Sequence, residues 1–234
     1  MFSNIKIGAK IVGGVIFIIV MSQAIGFYAL SNLANLSNKL NQTSNVDLPA
    51  VNNLKSIDKE MNYIVACERG LALGIMFDNK IVRQNLFKSI TDSWTRLERN
   101  WAEYEKLPKN DDEKKKWDGF VVNFTLWKTK HLAGMEALKN KQKLVEAGVS
   151  EQDANFQKWD KAADQAELDA RDSFQATTGT MDGLVSAITT QAVSSTEKTR
   201  LSATHAVSVF MTLMVVGGAI AVLLGVFLSR SISR

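Results

Sequence analysis

Thiol and imidazole chemistry have almost no raw material in this chain, whose 234 residues hold one cysteine, Cys67, and two histidines, His131 and His205. A lone cysteine excludes an intrachain disulfide framework and every cysteine-based zinc pattern. The two histidines stand 74 positions apart, so the His-x-x-x-His spacing of a helical metal site is missing. Gly-x-x-x-x-Gly-Lys, Gly-x-Gly-x-x-Gly and Gly-x-Ser-x-Gly are missing too, which removes the common phosphate cradles and the nucleophile elbow. No metal, no cofactor and no catalytic residue are expected, and the chain does not read as an enzyme. Proline is as scarce as histidine, at two residues, while Ala, Leu and Lys abound, with Gln and Glu among them, in long stretches without turn clusters. That composition favours helix almost throughout, and nothing in the pattern looks like a sheet.

Acidic residues are missing from both ends. None occurs in residues 1–30 or 206–234, where Lys6, Lys10, Arg230 and Arg234 supply four of the 28 basic residues. The remaining 24 meet 24 acids between positions 31 and 205, so the formal charge of +4 and the basic pI belong to the ends alone. A neutral middle excludes the basic face of a nucleic-acid binder.

What is present at the ends is apolar. Ile11–Leu30 is an uncharged run of 20 residues and Ala206–Leu228 one of 23. At about 1.5 Å per residue either spans a hydrocarbon core of about 30 Å. Basic residues on the outward, chain-terminal side of each run place both termini in the cytoplasm and residues 31–205 outside. The first run is read as a membrane span rather than a cleaved signal peptide, because it has full spanning length and no Ala-x-Ala site follows it. Gly217, Ala221 and Gly225 form a small-residue stripe against which another helix can pack, or mark the ordinary glycine enrichment of a membrane helix.

Between the runs the apolar period is helical. Leu54, Ile57, Met61, Ile64, Glu68, Leu71 and Ile75 form one stripe, ending near Met76–Asn79. Leu86, Ile90, Trp94, Leu97, Trp101 and Tyr104 form a second, stopped by Leu107-Pro108. Trp117, Phe120, Phe124, Trp127, His131, Met135 and Leu138 form a third, with Gly148 placed to terminate it. Ser150 is expected to cap a fourth helix, whose stripe runs Phe156, Trp159, Ala163, Ala166, Ala170, Phe174, Met181, Leu184 and Ile188 without a breaker before the second span. Asp47-Leu48-Pro49 marks a kink or restart in the first helix. The fold class is all-α: an antiparallel up-down-up-down four-helix bundle flanked by two transmembrane helices. The expected layout is a cytoplasmic 1–10, a span at 11–30, the outer bundle at 31–205, a span at 206–228 and a cytoplasmic linker at 229–234.

Two spans bracketing an outer bundle, the starting Lys6 and Lys10, Leu48-Pro49-Ala50 after the first span, and Leu228-Ser229-Arg230-Ser231-Ile232-Ser233-Arg234 after the second together resemble the input half of a bacterial methyl-accepting chemotaxis receptor. The last seven residues resemble the start of a HAMP linker. The resemblance implies an inner-membrane, multi-pass homodimer that binds a small-molecule ligand outside and displaces one helix. Coupling to a cytoplasmic kinase would run only through an output region beyond Arg234. Sensor histidine kinases and cyclic-dinucleotide enzymes carry the same input module, and a ligand-free structural or partner-binding bundle keeps the same topology.

Glu68 is the departure from pattern, a carboxylate on a core stripe that requires a partner, a ligand or water. The ligand-binding candidates around it are Arg69, Glu68 and Tyr63, with Phe156, Trp159 and Asp160 expected opposite on the fourth helix. The Arg would take a carboxylate and the aromatics an apolar body. Receptors of this family that bind acidic ligands use Arg residues near the distal end of the first helix, and Arg69 is the match here. Glu68 at the bundle edge, paired with a basic residue, and Phe156 and Trp159 as plain core are the structural alternatives. His131 reads as a satisfied core histidine or a pH-sensing group. Cys67 reads as a buried thiol or a cross-dimer disulfide.

Overall fold

A computed structural model describes residues 7–232; Lys6 and Arg234, two of the four terminal cations, lie outside the described residues. The elements are α1 (Ile7–Gln42), a π-helical turn (Thr43–Asp47), α2 (Leu48–Ala72), α3 (Gly74–Asp78), α4 (Lys80–Lys106), α5 (Asp111–Glu146) and α6 (Ala154–Ile232), with no strand among the described residues. Two compact units result, one of residues 44–192 and one of the two ends, up to 43 and from 193.

In the terminal unit, α1 and the last part of α6 include stretches long and apolar enough to cross a membrane, with mean hydropathies of 2.1 and 2.5. Val12, Val20, Phe27, Val215, Val222 and Leu223 are exposed there, a surface that water does not favour.

The second unit is the bundle, and its helix ends follow from local chemistry. Pro49 falls in the first turn of α2, where a missing N–H costs nothing, and the π turn before it carries the chain through without a break. Asn79 caps α4, its Oδ1 accepting from the amides of Ile81 and Val82 at 3.1 and 3.2 Å. Asn110 caps α5, accepting from Glu113 N at 2.9 Å, and Asp111, Asp112 and Glu113 sit in that first turn where the helix dipole favours acids. Gly148 adopts φ +70° just after α5, a conformation that costs glycine nothing. The cap of α6 is Asp153, which accepts from Asn155 N at 2.8 Å; Ser150, the expected cap, instead accepts from Gln152 N inside the loop.

Neighbouring helices run antiparallel in constant register. Glu60 meets Arg96 and Gly70 meets Leu86 across α2 and α4. Trp94 meets His131 across α4 and α5, and Lys130 meets Asp169 while Asn110 meets Gln191 across α5 and α6. This is the expected up-down-up-down bundle. Its core holds Leu54, Ile57, Met61 and Ile64 of α2, Leu97 of α4, Phe120 and Trp127 of α5, and Met181 and Leu184 of α6. Along the α4–α5 seam the rings of Trp101, Tyr104, Trp117, Phe120, Phe124, Trp127 and Trp94 form a connected column, with centroids 4.5 Å apart for Trp101–Trp117 and 5.7 Å for Trp94–Trp127. Such rings combine large buried area with tilted ring contacts.

One core expectation fails. Leu73 is extended (φ −75°, ψ 117°), which ends α2 and rotates the short α3. Ile75 is therefore 84 % exposed, while Phe77, read as part of a turn, is fully buried. Phe77→Ala should cost about 3–5 kcal/mol of unfolding free energy and Ile75→Ser less than about 0.5 kcal/mol, measured by urea denaturation followed by far-UV circular dichroism.

Candidate functional site

The apolar stripe of α2 points Glu68 into the bundle, and α5 and α4 supply what a buried carboxylate needs. His131 Nδ1 donates to Glu68 Oε2 at 2.8 Å, and Trp94 Nε1–H donates to His131 Nε2 at 3.2 Å. The His131 side chain is 0 % exposed and that of Glu68 8 %. Because an indole N–H can only donate, His131 Nε2 must accept, which assigns a neutral imidazole with its proton on Nδ1. One continuous chain of polar atoms thus crosses three helices, α4 to α5 to α2. Gly134, one turn after His131, makes room for it: a Cβ there would lie 2.8 Å from Glu68 Oε1 and 3.4 Å from Ala166 Cβ.

Arg69, next to Glu68, turns outward to Glu167 of α6 at 3.3 Å, with 56 % of its side chain exposed. The recess beside this pair, bounded by Val65, Trp127 and Phe174, holds about 20 Å³, room for a water but not for a small organic ligand. Tyr63 is exposed, one turn before Cys67. The Cys67 thiol is buried and unpaired with another cysteine; burial pushes its pKa up and a hydrogen bond with Tyr63 opposes this.

Phe156, Trp159 and Asp160 lie elsewhere. The α3 turn caps the bundle above the end of α2, so α6 begins beyond α2, and the part of α6 facing Glu68 and Arg69 is Ala166–Ala170 rather than 156–163. Asp160 pairs with Lys141, whose ammonium is buried over the rings of Phe77 at 4.3 Å and Phe156 at 5.3 Å. Arg83 joins this distal cluster, donating to the Phe77 carbonyl and lying 5.2 Å from the Phe77 ring centroid. Trp159 is half-buried beneath Lys158. The structure therefore places Glu68 and Arg69 beside one recess, with Tyr63 more than a turn before them on α2, and Phe156 and Asp160 at another level.

Several polar residues of the interior escaped the sequence reading. Lys141 had a signal, since it continues the third stripe three residues past Leu138. Glu60 had one too, lying on the edge of the first stripe, where Arg96 holds it through two hydrogen bonds of 2.9 and 2.7 Å. Tyr104 donates to the buried Glu113 at 2.8 Å, and burial with this bond raises its phenol pKa.

A larger space opens on the opposite side of the polar chain. Between α4 and α5 a groove of about 520 Å³ has Phe87, Trp94 and Met135 on its walls, His131 at its floor and Lys139 and Lys143 at one end. In the terminal unit a separate space of about 600 Å³ lies between α1 and α6, lined by Tyr28, Leu36, Ala203 and Phe210 among others. Among the described residues no three His, Cys, Asp or Glu side chains are grouped so as to hold a metal.

The architecture is an all-helical bundle with a polar chain through its core and an open groove beside it. A family model described as a four helix bundle sensory module for signal transduction matches residues 4–203, and the chain belongs to that family, the sensory bundle of methyl-accepting chemotaxis proteins. No curated protein and no solved structure matches the chain.

Two predictions follow from this geometry. Gly134→Ala should destabilise the bundle by about 1–3 kcal/mol despite the better helix propensity of Ala, and Glu68→Ala in the same chain should recover part of that loss; a double-mutant cycle in urea tests it. The acid response divides by sign. Arg96, with Ser93, holds Glu60 below the ordinary carboxylate range against its burial, so Glu60 contributes stability that is complete above that range and vanishes as pH falls through its lower folded value. Burial and the facing Asp182 raise Asp58, so Asp58 destabilises the bundle at neutral pH and ceases to as it protonates. Glu60→Gln should flatten the loss of stability on acidification and Asp58→Asn should steepen it, each by about 1 kcal/mol, in urea midpoints taken from neutral pH down through the carboxylate range.

Proposed function

We propose that this chain is the input module of a transmembrane chemoreceptor. Residues 11–30 and 206–228 cross the inner membrane, residues 31–205 form the outer sensor, and residues 1–10 and 229–234 lie in the cytoplasm. The module works as a homodimer. A small molecule bound on the bundle shifts one helix against its neighbours, and that shift is handed to a cytoplasmic output. Displacements of about 1–2 Å are sufficient for such switching.

The observation that supports this most is the Trp94–His131–Glu68 chain. A bundle that needed only stability would gain as much from apolar side chains at these positions, since buried polar groups repay little beyond their desolvation. A hydrogen-bonded chain across three helices has discrete arrangements, so it favours particular helix registers over a continuum, which is what a switch requires. Helical backbone without a break from Ala154 to Ile232 supports the transmission step. A ligand drives that step only by its difference in affinity for the two arrangements.

The test uses the chain in lipid nanodiscs, screened by thermal shift against amino acids, organic acids, amines and aromatic compounds. At least one class should raise the melting temperature, and spin labels on α2 and α6 should then report a changed distance. Stabilisation by no class would remove the small-ligand reading. Topology is tested with Asp111→Cys and a membrane-impermeant maleimide on intact spheroplasts, wild type with its buried Cys67 serving as the blank. Labelling from outside is expected, and labelling only after lysis would overturn the orientation.

A further inference from the structure

Resting on the reading of the bundle as a ligand sensor, we infer that the α4–α5 groove is the ligand site and that its ligand is an aromatic monocarboxylate. Small-molecule sites are concave, about 300–1,000 Å³, largely apolar and furnished with a few convergent polar groups. The groove, at about 520 Å³, falls in that range, whereas the recess beside Arg69 is far below it.

The chemistry of the walls selects the body of the ligand. Phe87, Trp94 and Met135 line the groove with two aromatic rings and a thioether, which favour a flat ring. Trp94 spends its only donor on His131, and its faces already meet Trp127, stacked at 5.7 Å, and the Lys128 ammonium at 4.7 Å, so what it offers the groove is apolar ring edge rather than a hydrogen bond. The chemistry of the end selects the charge. Lys139 and Lys143 are four residues apart on α5 and so lie on one side of the helix, where both ammonium groups can reach one carboxylate. Neither is in an ion pair among the described residues; the single contact of the pair is Lys143 Nζ to Asn140 Oδ1 at 3.5 Å. The acid of the lining, Glu146, accepts from Gln142 at 2.8 Å. Of the other acids nearby, Asp92 is held by Lys88 and Glu98 by Lys128, and Glu136 of α5 does not line the groove. Lys139 and Lys143 against the one acid Glu146 leave this end of the groove cationic.

The dimensions agree. Lys139 is two turns past His131, about 12 Å along α5, and helical side chains lean toward the N-terminus, which brings its ammonium to within about 6–9 Å of the Trp94 level. A single ring bearing a one- or two-atom carboxylate arm bridges that distance. Its ring would press on Trp94, the first member of the polar chain, which connects occupancy of the groove to the position of Glu68 on α2.

The probes are indole-3-acetate and phenylacetate, with indole-3-acetamide and phenylacetamide as uncharged isosteres, titrated by calorimetry into the chain in nanodiscs. The acids should bind at least tenfold more tightly than the amides. Lys139→Gln with Lys143→Gln, both on exposed positions, should weaken the acids at least tenfold and leave the far-UV circular dichroism spectrum unchanged. Thr91→Trp, at the rim, should block them. Acid binding that survives both variants, or binding equal to that of the amides, overturns the assignment. If neither acid binds but another class from the broad screen does, this site fails and the sensor reading stands; if nothing binds, both fail. A change of oligomeric state in Thr91→Trp, seen by mass photometry, would give the groove to a second copy of the chain and overturn the proposal equally.

Discussion

Glu68 brings a carboxylate into an apolar interior, a placement that costs several kcal/mol unless the group is hydrogen-bonded, and features of two other helices answer to that cost. His131 must present a proton on Nδ1, Trp94 must hold the other ring nitrogen, and residue 134 must lack a side chain so that the second carboxylate oxygen fits. Each requirement sits on a different element or turn, so the Glu68 hydrogen bond fixes the rotation of α2, α4 and α5 about their axes and their relative height together. An apolar residue at position 68 would tolerate small slips; the hydrogen-bonded chain does not, because a slip leaves a buried donor or acceptor unpaired at about 1–3 kcal/mol each.

The charges of the bundle follow the same logic at other levels. Arg96 embraces Glu60 on the edge of the core, Lys141 reaches Asp160 between two aromatic rings, and Arg83 meets a backbone carbonyl at the end of α3 and the face of Phe77. These groups tie α2 to α4, α5 to α6 and α3 to α4. The exposed pairs, such as Arg69–Glu167, contribute little to stability because water and salt screen them. Lys139 and Lys143 are in no ion pair among the described residues, and they line the groove of about 520 Å³ between α4 and α5.

Much of this was legible in the sequence. The third stripe is buried at every position from Trp117 to Leu138, and Pro49 and Gly148 act where their backbone chemistry puts them. Glu68 was legible as a residue in need of a partner, because a carboxylate interrupting a three-and-four period has no other local explanation. Its partner was not, since nothing in a single sequence says that position 131 lies level with position 68. The facing stretch of α6 was misplaced by about two turns for a related reason: the extended Leu73 inserts α3 as a cap, and one residue's backbone angle shifts the apparent level of everything across the bundle. Ile75 and Phe77 exchanged roles through the same break.

The sequence by itself determined the class of fold and the family, because periodicity, caps and uncharged runs are local properties that each helix carries alone. It also determined that the net charge of +4 resides at the ends, leaving residues 31–205 balanced. Only the tertiary structure decided which polar side chains find one another and where space remains, since register and cavity arise from the fit of several helices at once. Trp94, His131 and Glu68 are 37 and 63 residues apart along the chain and one hydrogen bond apart in the bundle.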